Sequence, residues 1–222
     1  MKTRVSGILL CVMGLAGLQA AASGPYAYAV PAAHAAHAAH AARAAQGEAS
    51  ALEPHEKAVY EAVIEDVLQR AGRERGRHVA IRVPTATGQR PGSTGTPDAD
   101  LKKLLDNLEG TTGPLGAALR SHFIALNRTT HPLSGELKLS VPYVIKSFDL
   151  SPRDFWEQFY KTYPGSAGIV QFSRVGFDDG FTRALVYVEH LHGNRAMSGE
   201  YLLLAHGAHG WQIEKRLPSW IA

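Results

Sequence analysis

A chain of 222 residues that is 45% hydrophobic and 19% charged has the makings of one modest globular domain, and its 23 Lys and Arg against 20 Asp and Glu give a formal charge of +3. Two of those cations, Lys2 and Arg4, and the sole cysteine, Cys11, fall in an N-terminal leader that holds no acidic residue. Without the leader the chain is close to neutral and free of thiols, which excludes disulfides, thiolate metal sites and a cysteine nucleophile and leaves no electrostatic footprint for nucleic acid or an anionic membrane.

The leader has the order of a secretory signal: basic Lys2 and Arg4, an apolar run from Val5 to Leu18, then the small residues Ala20-Ala21-Ala22-Ser23. Its apolar run is shorter than the roughly 18 to 20 residues that span a bilayer core. Leu10 precedes Cys11 where a lipoprotein site needs a small residue, so the leader is read as cleaved after Ala20 or Ala22 rather than lipidated. The expected division is a signal peptide over 1–22, an Ala/His-rich low-complexity linker over 23–52 and a single domain over 53–222. The address is periplasmic or extracellular, with no membrane association after cleavage.

In the linker, His34, His37 and His40 recur every third residue. On a helix each such step turns by about 60°, so the outer pair diverges by about 120° and three imidazoles chelate poorly unless the segment bends. A histidine-rich tract outside the cytoplasm can still gather Zn, Cu or Ni; a repeat without chemical role is the plainer reading.

The first helix is expected from Pro54 to about Ala71, with Val59, Val63 and Val67 on one ridge and Tyr60, Ile64 and Leu68 on the next. Val79 to Val83 alternates like a short strand, and Pro84 to Asp98 reads as a long mobile loop. Leu101, Leu104, Leu105 and Leu108, then Leu115, Leu119, Phe123 and Leu126, predict a helical hairpin. Val141 to Phe148 is β-rich. Ser151-Pro152-Arg153-Asp154 resembles a helix start for the aromatic stripe Phe155, Trp156, Phe159 and Tyr160.

From Gly168 the pattern turns to four strands, Gly168–Phe177, Arg183–His192, Glu200–Ala205 and Trp211–Leu217, split by reversal residues. Helices first and strands last predict an α+β fold in which N-terminal helices pack on a C-terminal four-stranded antiparallel meander, rather than a parallel α/β sheet. Leu185, Tyr187 and Leu191 share one strand face and Ala184, Val186 and Val188 the other, so both faces are expected to be covered. A meander curved around helices, in the manner of a cystatin or nuclear-transport-factor roll, would satisfy this.

The tracts Phe172-Ser173-Arg174-Val175-Gly176-Phe177, Ala184-Leu185-Val186-Tyr187-Val188 and Gly199-Glu200-Tyr201-Leu202-Leu203-Leu204, with Trp211 and the terminal Trp220-Ile221, resemble a group of uncharacterised exported bacterial proteins. The resemblance covers roughly the last third of the chain and implies no activity.

No phosphate-binding glycine loop, dinucleotide fingerprint, Gly-x-Ser-x-Gly elbow or His-Glu-x-x-His motif is present. The histidines are the distinctive resource. His190 and His192 share a strand face near the reversal at Gly193. His206 and His209 lie in a later reversal that is expected at the same end, so that four imidazoles would gather at one rim, although solvated histidines at strand ends are the ordinary alternative. Arg174 shares parity with Val170 and Phe172 and is expected to pair with Glu189 or Glu200, as a structural ion pair before an anion contact. His122 reads as a satisfied core or boundary histidine.

These features favour a non-enzymatic exported domain that binds a small molecule or a partner protein. Histidine-mediated transition-metal binding is the alternative. A hydrolase-like enzyme, pairing His190 with Glu189 or Glu200, is the third reading, and strand alternation weakens it by sending Glu189 and His190 to opposite faces. N-terminal sequencing of the exported protein is expected to start at Ala21 or Ser23, and a thiol-reactive chromophore is expected to titrate nothing in it; a mature chain that retains Cys11 would overturn the leader assignment.

Overall fold

A computed structural model describes residues 53–87 and 97–222. The leader, the Ala/His tract and the middle of the Pro84–Asp98 loop fall outside the described residues.

Helix α1 spans Pro54–Arg75, and Pro54 opens it because the first helical residues have no intrahelical use for an N–H. Both expected ridges are buried in full, Val59, Val63 and Val67 beside Tyr60, Ile64 and Leu68. Gly72, at φ 74°, interrupts the helical path just past the expected end, a backbone shape that favours glycine, and a last turn with Arg73 and Arg75 follows it.

The strands are β1 (His78–Arg82), β2 (Tyr143–Lys146), β3 (Ser166–Phe172), β4 (Gly176–Phe177), β5 (Arg183–Leu191), β6 (Met197–Gly207) and β7 (Gly210–Ile221). They form one seven-stranded sheet in the order β2-β1-β3-β5-β6-β7, with β4 also paired to β5. β1 is parallel to β2 and β3, and every other pairing is antiparallel. The molecule is therefore α+β, but the four-stranded antiparallel sheet is corrected: the meander is real, and two parallel strands extend it. The helices are not gathered at the N-terminus either. Helices α2 (Pro97–Thr112) and α3 (Ala117–Leu126) lie between β1 and β2, and α4 (Phe155–Thr162) lies between β2 and β3. Parallel neighbours need crossover connections, so these helices are what carries the chain from one strand to the next.

Both faces are covered, as the alternation in β5 requires. Ridges of α1 pack on Val79, Ile81, Val170, Phe172, Ala184, Val186, Val188, Leu202 and Leu204. On the opposite face the α2–α3 hairpin sets Leu105, Leu108, Leu119 and Phe123 against Leu185, Tyr187, Tyr201 and Leu203, while α4 sets Phe159 against Ala80, Ile169 and Leu191. Helices therefore lie on both sides of the sheet. No helix among the described residues is long and apolar enough to cross a membrane.

Between β3 and β4 the chain breaks its pairing at Ser173-Arg174-Val175, and a buried polar node fills the break. Arg174 grips Glu56 of α1 through Nε to Oε1 at 2.6 Å and a terminal nitrogen to Oε2 at 2.9 Å. Oε1 also accepts from the Tyr60 hydroxyl at 2.9 Å and the Val175 N–H at 3.1 Å. Asn127 holds the Arg174 backbone, accepting from its N–H at 2.8 Å and donating to its carbonyl at 3.0 Å. The partner of Arg174 is thus Glu56, not Glu189 or Glu200, because this break faces α1 while Glu189 faces the other side and Glu200 is engaged elsewhere. Burial, with the Glu56 carboxylate beside it, pushes the Tyr60 phenol well above its usual range.

The Glu56 side chain is 0% exposed and that of Arg174 5%, so removing one partner strands a buried charge. Glu56→Gln is expected to destabilise by about 3–5 kcal/mol in urea unfolding, and joint replacement of both residues by Met to lose less than the two single changes together. Additive losses would show that the pair is not coupled.

Candidate functional site

The ridge Val59, Val63 and Val67 continues at the same spacing to Ala71, where the side chain shrinks to a methyl group. Beneath it β3 contributes Ala167. Next along, Gly168 adopts φ 108°, and a Cβ there would collide with the Leu191 carbonyl and stand 2.9 Å from the His192 Cβ. Only glycine lets β3 run this close to the end of β5. The small side chains of Ala71 and Ala167 border a cavity of about 310 Å³ lined by Arg70, Ala71, Arg75, Ala167, His190 and His192.

His190 is the last residue of the series Ala184, Val186, Val188 that faces α1, so its imidazole stands where the apolar core gives way to the cavity. Its Nε2 lies 2.7 Å from the Ala167 carbonyl, which can only accept, so Nε2 carries the proton and Nδ1 keeps a lone pair. Burial pulls the His190 pKa down to about 4, with the neighbouring His192 and Arg70 lowering it further and the Ala167 carbonyl opposing them. His192 sits with its ring centroid 4.8 Å from that of His190. Burial and Arg75 depress its pKa as well. The Tyr160 hydroxyl of α4 donates to the His192 carbonyl at 3.0 Å and fixes this turn.

At the rim, four side chains close a ring. Arg70 bonds Asp66 at 2.9 Å and Glu200 at 3.2 Å, and Arg216 bonds the same Glu200 at 3.0 Å and the same Asp66 at 2.5 Å. The ring joins α1 to β6 and β7 and cancels its own charge. Arg75 has no ion-pair or hydrogen-bond partner for its guanidinium among the described residues.

The structure therefore brings His190 and His192 together, as expected, and separates them from His206 and His209. Successive reversals of a meander alternate ends: the turn after His192 joins β5 to β6, and the Gly207–Gly210 turn lies at the other end. There His206 packs on Trp211, ring centroids 4.9 Å apart. The rim of four imidazoles is corrected to a pair. His34, His37 and His40 lie outside the described residues, and among the described residues no group of three or more His, Cys, Asp or Glu converges to hold a metal ion.

Glu189 is on the opposite face, where it accepts from the Tyr187 hydroxyl at 3.1 Å, which in turn accepts from Trp220 Nε1 at 2.6 Å. Burial raises its pKa. Neither His190 nor His192 bonds a carboxylate among the described residues. His122 is buried in the core, and its Nδ1 accepts the Phe177 N–H at 3.0 Å. Arg70 and Arg75 are the site residues that sequence reasoning missed. Arg70 had a signal, since it stands four residues after Asp66 on the helix, and Ala71 marks the break in the valine ridge. Arg75 lies beyond Gly72 and had none.

No protein-family model, curated protein or solved structure matches this chain.

With a folded pKa of about 4 against 6.5 unfolded, His190 stays neutral where the unfolded chain takes up a proton. Its contribution to stability is therefore complete above about pH 6.5 and lost as pH falls towards 4. Nitrogen-15 NMR is expected to show the Nε2–H tautomer across that window, and His190→Gln to flatten the fall of stability with acid.

Proposed function

We propose that this is an exported, non-catalytic domain that binds a small molecule in the cavity between α1, β3 and β5. The observation that carries the reading is the cavity itself, bordered by the small residues Ala71 and Ala167 where the valine ridge of α1 ends. At about 310 Å³ it stands at the small end of ligand cavities, which run from roughly 300 to 1,000 Å³. Small apolar walls with a few polar groups aimed inward are the usual make-up of such sites.

Two features set binding above the other readings. His190 and His192 have no carboxylate to orient an imidazole as a base, which the hydrolase reading needs. Arg70 and Arg75 place guanidinium charges beside the same imidazoles, and these oppose a divalent zinc, copper or nickel ion there. The signal-like leader supports a place outside the cytoplasm.

A thermal-shift screen of small metabolites against the mature protein tests the reading. A ligand at 100 times its Kd adds about 2.7 kcal/mol of stability, enough to move the transition visibly. Ala71→Leu, which fills the cavity from a helical position, is expected to abolish the ligand-induced shift with little change in the unliganded transition. A shift that survives Ala71→Leu would place the ligand elsewhere.

A further inference from the structure

We infer that the cavity takes an oxyanion that carries a neighbouring O–H group, a hydrogen phosphate or a hydroxy-carboxylate, with its charge on Arg75 and its hydroxyl on His190. The inference rests on the small-molecule reading and adds the ligand's chemistry. Its basis is the charge of the side chains that line the cavity and the hydrogen bond that His190 makes to the Ala167 carbonyl.

Every ionisable side chain that lines the cavity is basic: Arg70, Arg75, His190 and His192. Arg70 is already balanced, since Asp66 and Glu200 are each shared with Arg216 in a neutral ring. Arg75 is different. It has no counter-charge among the described residues, and it lies close enough to His192 and to Tyr160 to perturb both. A planar guanidinium presents paired N–H donors that fit the two oxygens of a carboxylate or phosphate. His192, whose ring makes no hydrogen bond within the described protein, can supply one more N–H.

His190 sets the second requirement. Its proton is committed to the Ala167 carbonyl, so the nitrogen left to meet a ligand is the Nδ1 lone pair. A lone pair repels a second anionic oxygen and accepts from a hydroxyl. An anion with an O–H therefore satisfies both ends of the cavity, and an anion without one leaves Nδ1 facing a negative oxygen. Phosphate near neutral pH keeps a proton whereas sulfate does not, and glycolate has a hydroxyl that acetate lacks. These pairs separate the two sources of the same chemistry.

Calorimetric titration of inorganic phosphate, sulfate, glycolate and acetate into the mature protein, at matched ionic strength and neutral pH, tests the inference. Phosphate is expected to bind at least tenfold more tightly than sulfate, or glycolate than acetate, and whichever pair discriminates identifies the source. Arg75→Gln is expected to weaken that binding at least tenfold. Arg73→Gln removes the same charge from the same helical turn outside the cavity and is expected to leave it unchanged. Thermal unfolding of each variant establishes that it is folded.

Equal affinity within both pairs would overturn the hydroxyl requirement. Absence of binding by all four anions, or equal losses in Arg75→Gln and Arg73→Gln, would overturn the oxyanion site. If a neutral compound still shifts the thermal transition and Ala71→Leu blocks that shift, the cavity remains the binding site and only the ligand class fails. If nothing depends on Ala71, the small-molecule reading falls with it.

Discussion

The buried pair between Glu56 and Arg174 fixes how α1 lies across the sheet. Arg174 stands in the break between β3 and β4, and Glu56 is in the first turn of the helix, so the contact pins one end of α1 to one point on the sheet. The rest of the helix then has a single course. Its valine ridge runs over β3, β5 and β6, and its last turns reach the far end of β5 above His190 and His192. A buried ion pair is weak evidence of net stability, because desolvation opposes its attraction. Its surroundings give it another role: Tyr60 and Val175 donate to the Glu56 carboxylate and Asn127 holds the Arg174 backbone, so a shifted register would strand several buried groups at once.

The features legible in the sequence are those written in local periodicity. The ridges of α1, the hairpin leucines of α2 and α3, and the alternation Ala184, Val186, Val188 against Leu185, Tyr187 all appear as expected, since each depends only on residues within a few positions. The sheet order was hidden. β1 and β2 are short apolar segments separated by two helices, and nothing local reveals that they lie side by side in parallel. Glu56 as the partner of Arg174 was hidden for the same reason, at 118 positions' separation. The placement of His206 was a different matter, because alternate ends for successive reversals follow from the meander itself.

The cavity shows how a site can evade motif reasoning. It opens where Ala71 and Ala167 carry only methyl groups, two positions brought together only by the fold, and small residues carry no chemical signature. His190 and His192 were legible as a same-face pair because a strand repeats every second residue. Their chemistry was not. The proton on Nε2 is dictated by the Ala167 carbonyl, which belongs to another strand.

The rim ring explains why the cavity is charged as it is. Its arginines are partly exposed, so each ion pair contributes only about 0.2–1 kcal/mol, small beside the apolar contacts of α1. Its larger effect is on geometry and charge. Two carboxylates shared between two guanidiniums tie the end of α1 to β6 and β7, and neutralise Arg70 and Arg216 together. A positive group at a helix C-terminus is favourable on its own account, which lets Arg75 stand there without a carboxylate. The combination leaves one uncompensated guanidinium at the mouth of a hollow whose floor is a neutral imidazole, held neutral by burial and oriented by a backbone carbonyl. A chain without disulfides, stabilised by packing on both sheet faces, can maintain such a hollow because the surrounding ridge and ring are fixed independently of whatever fills it.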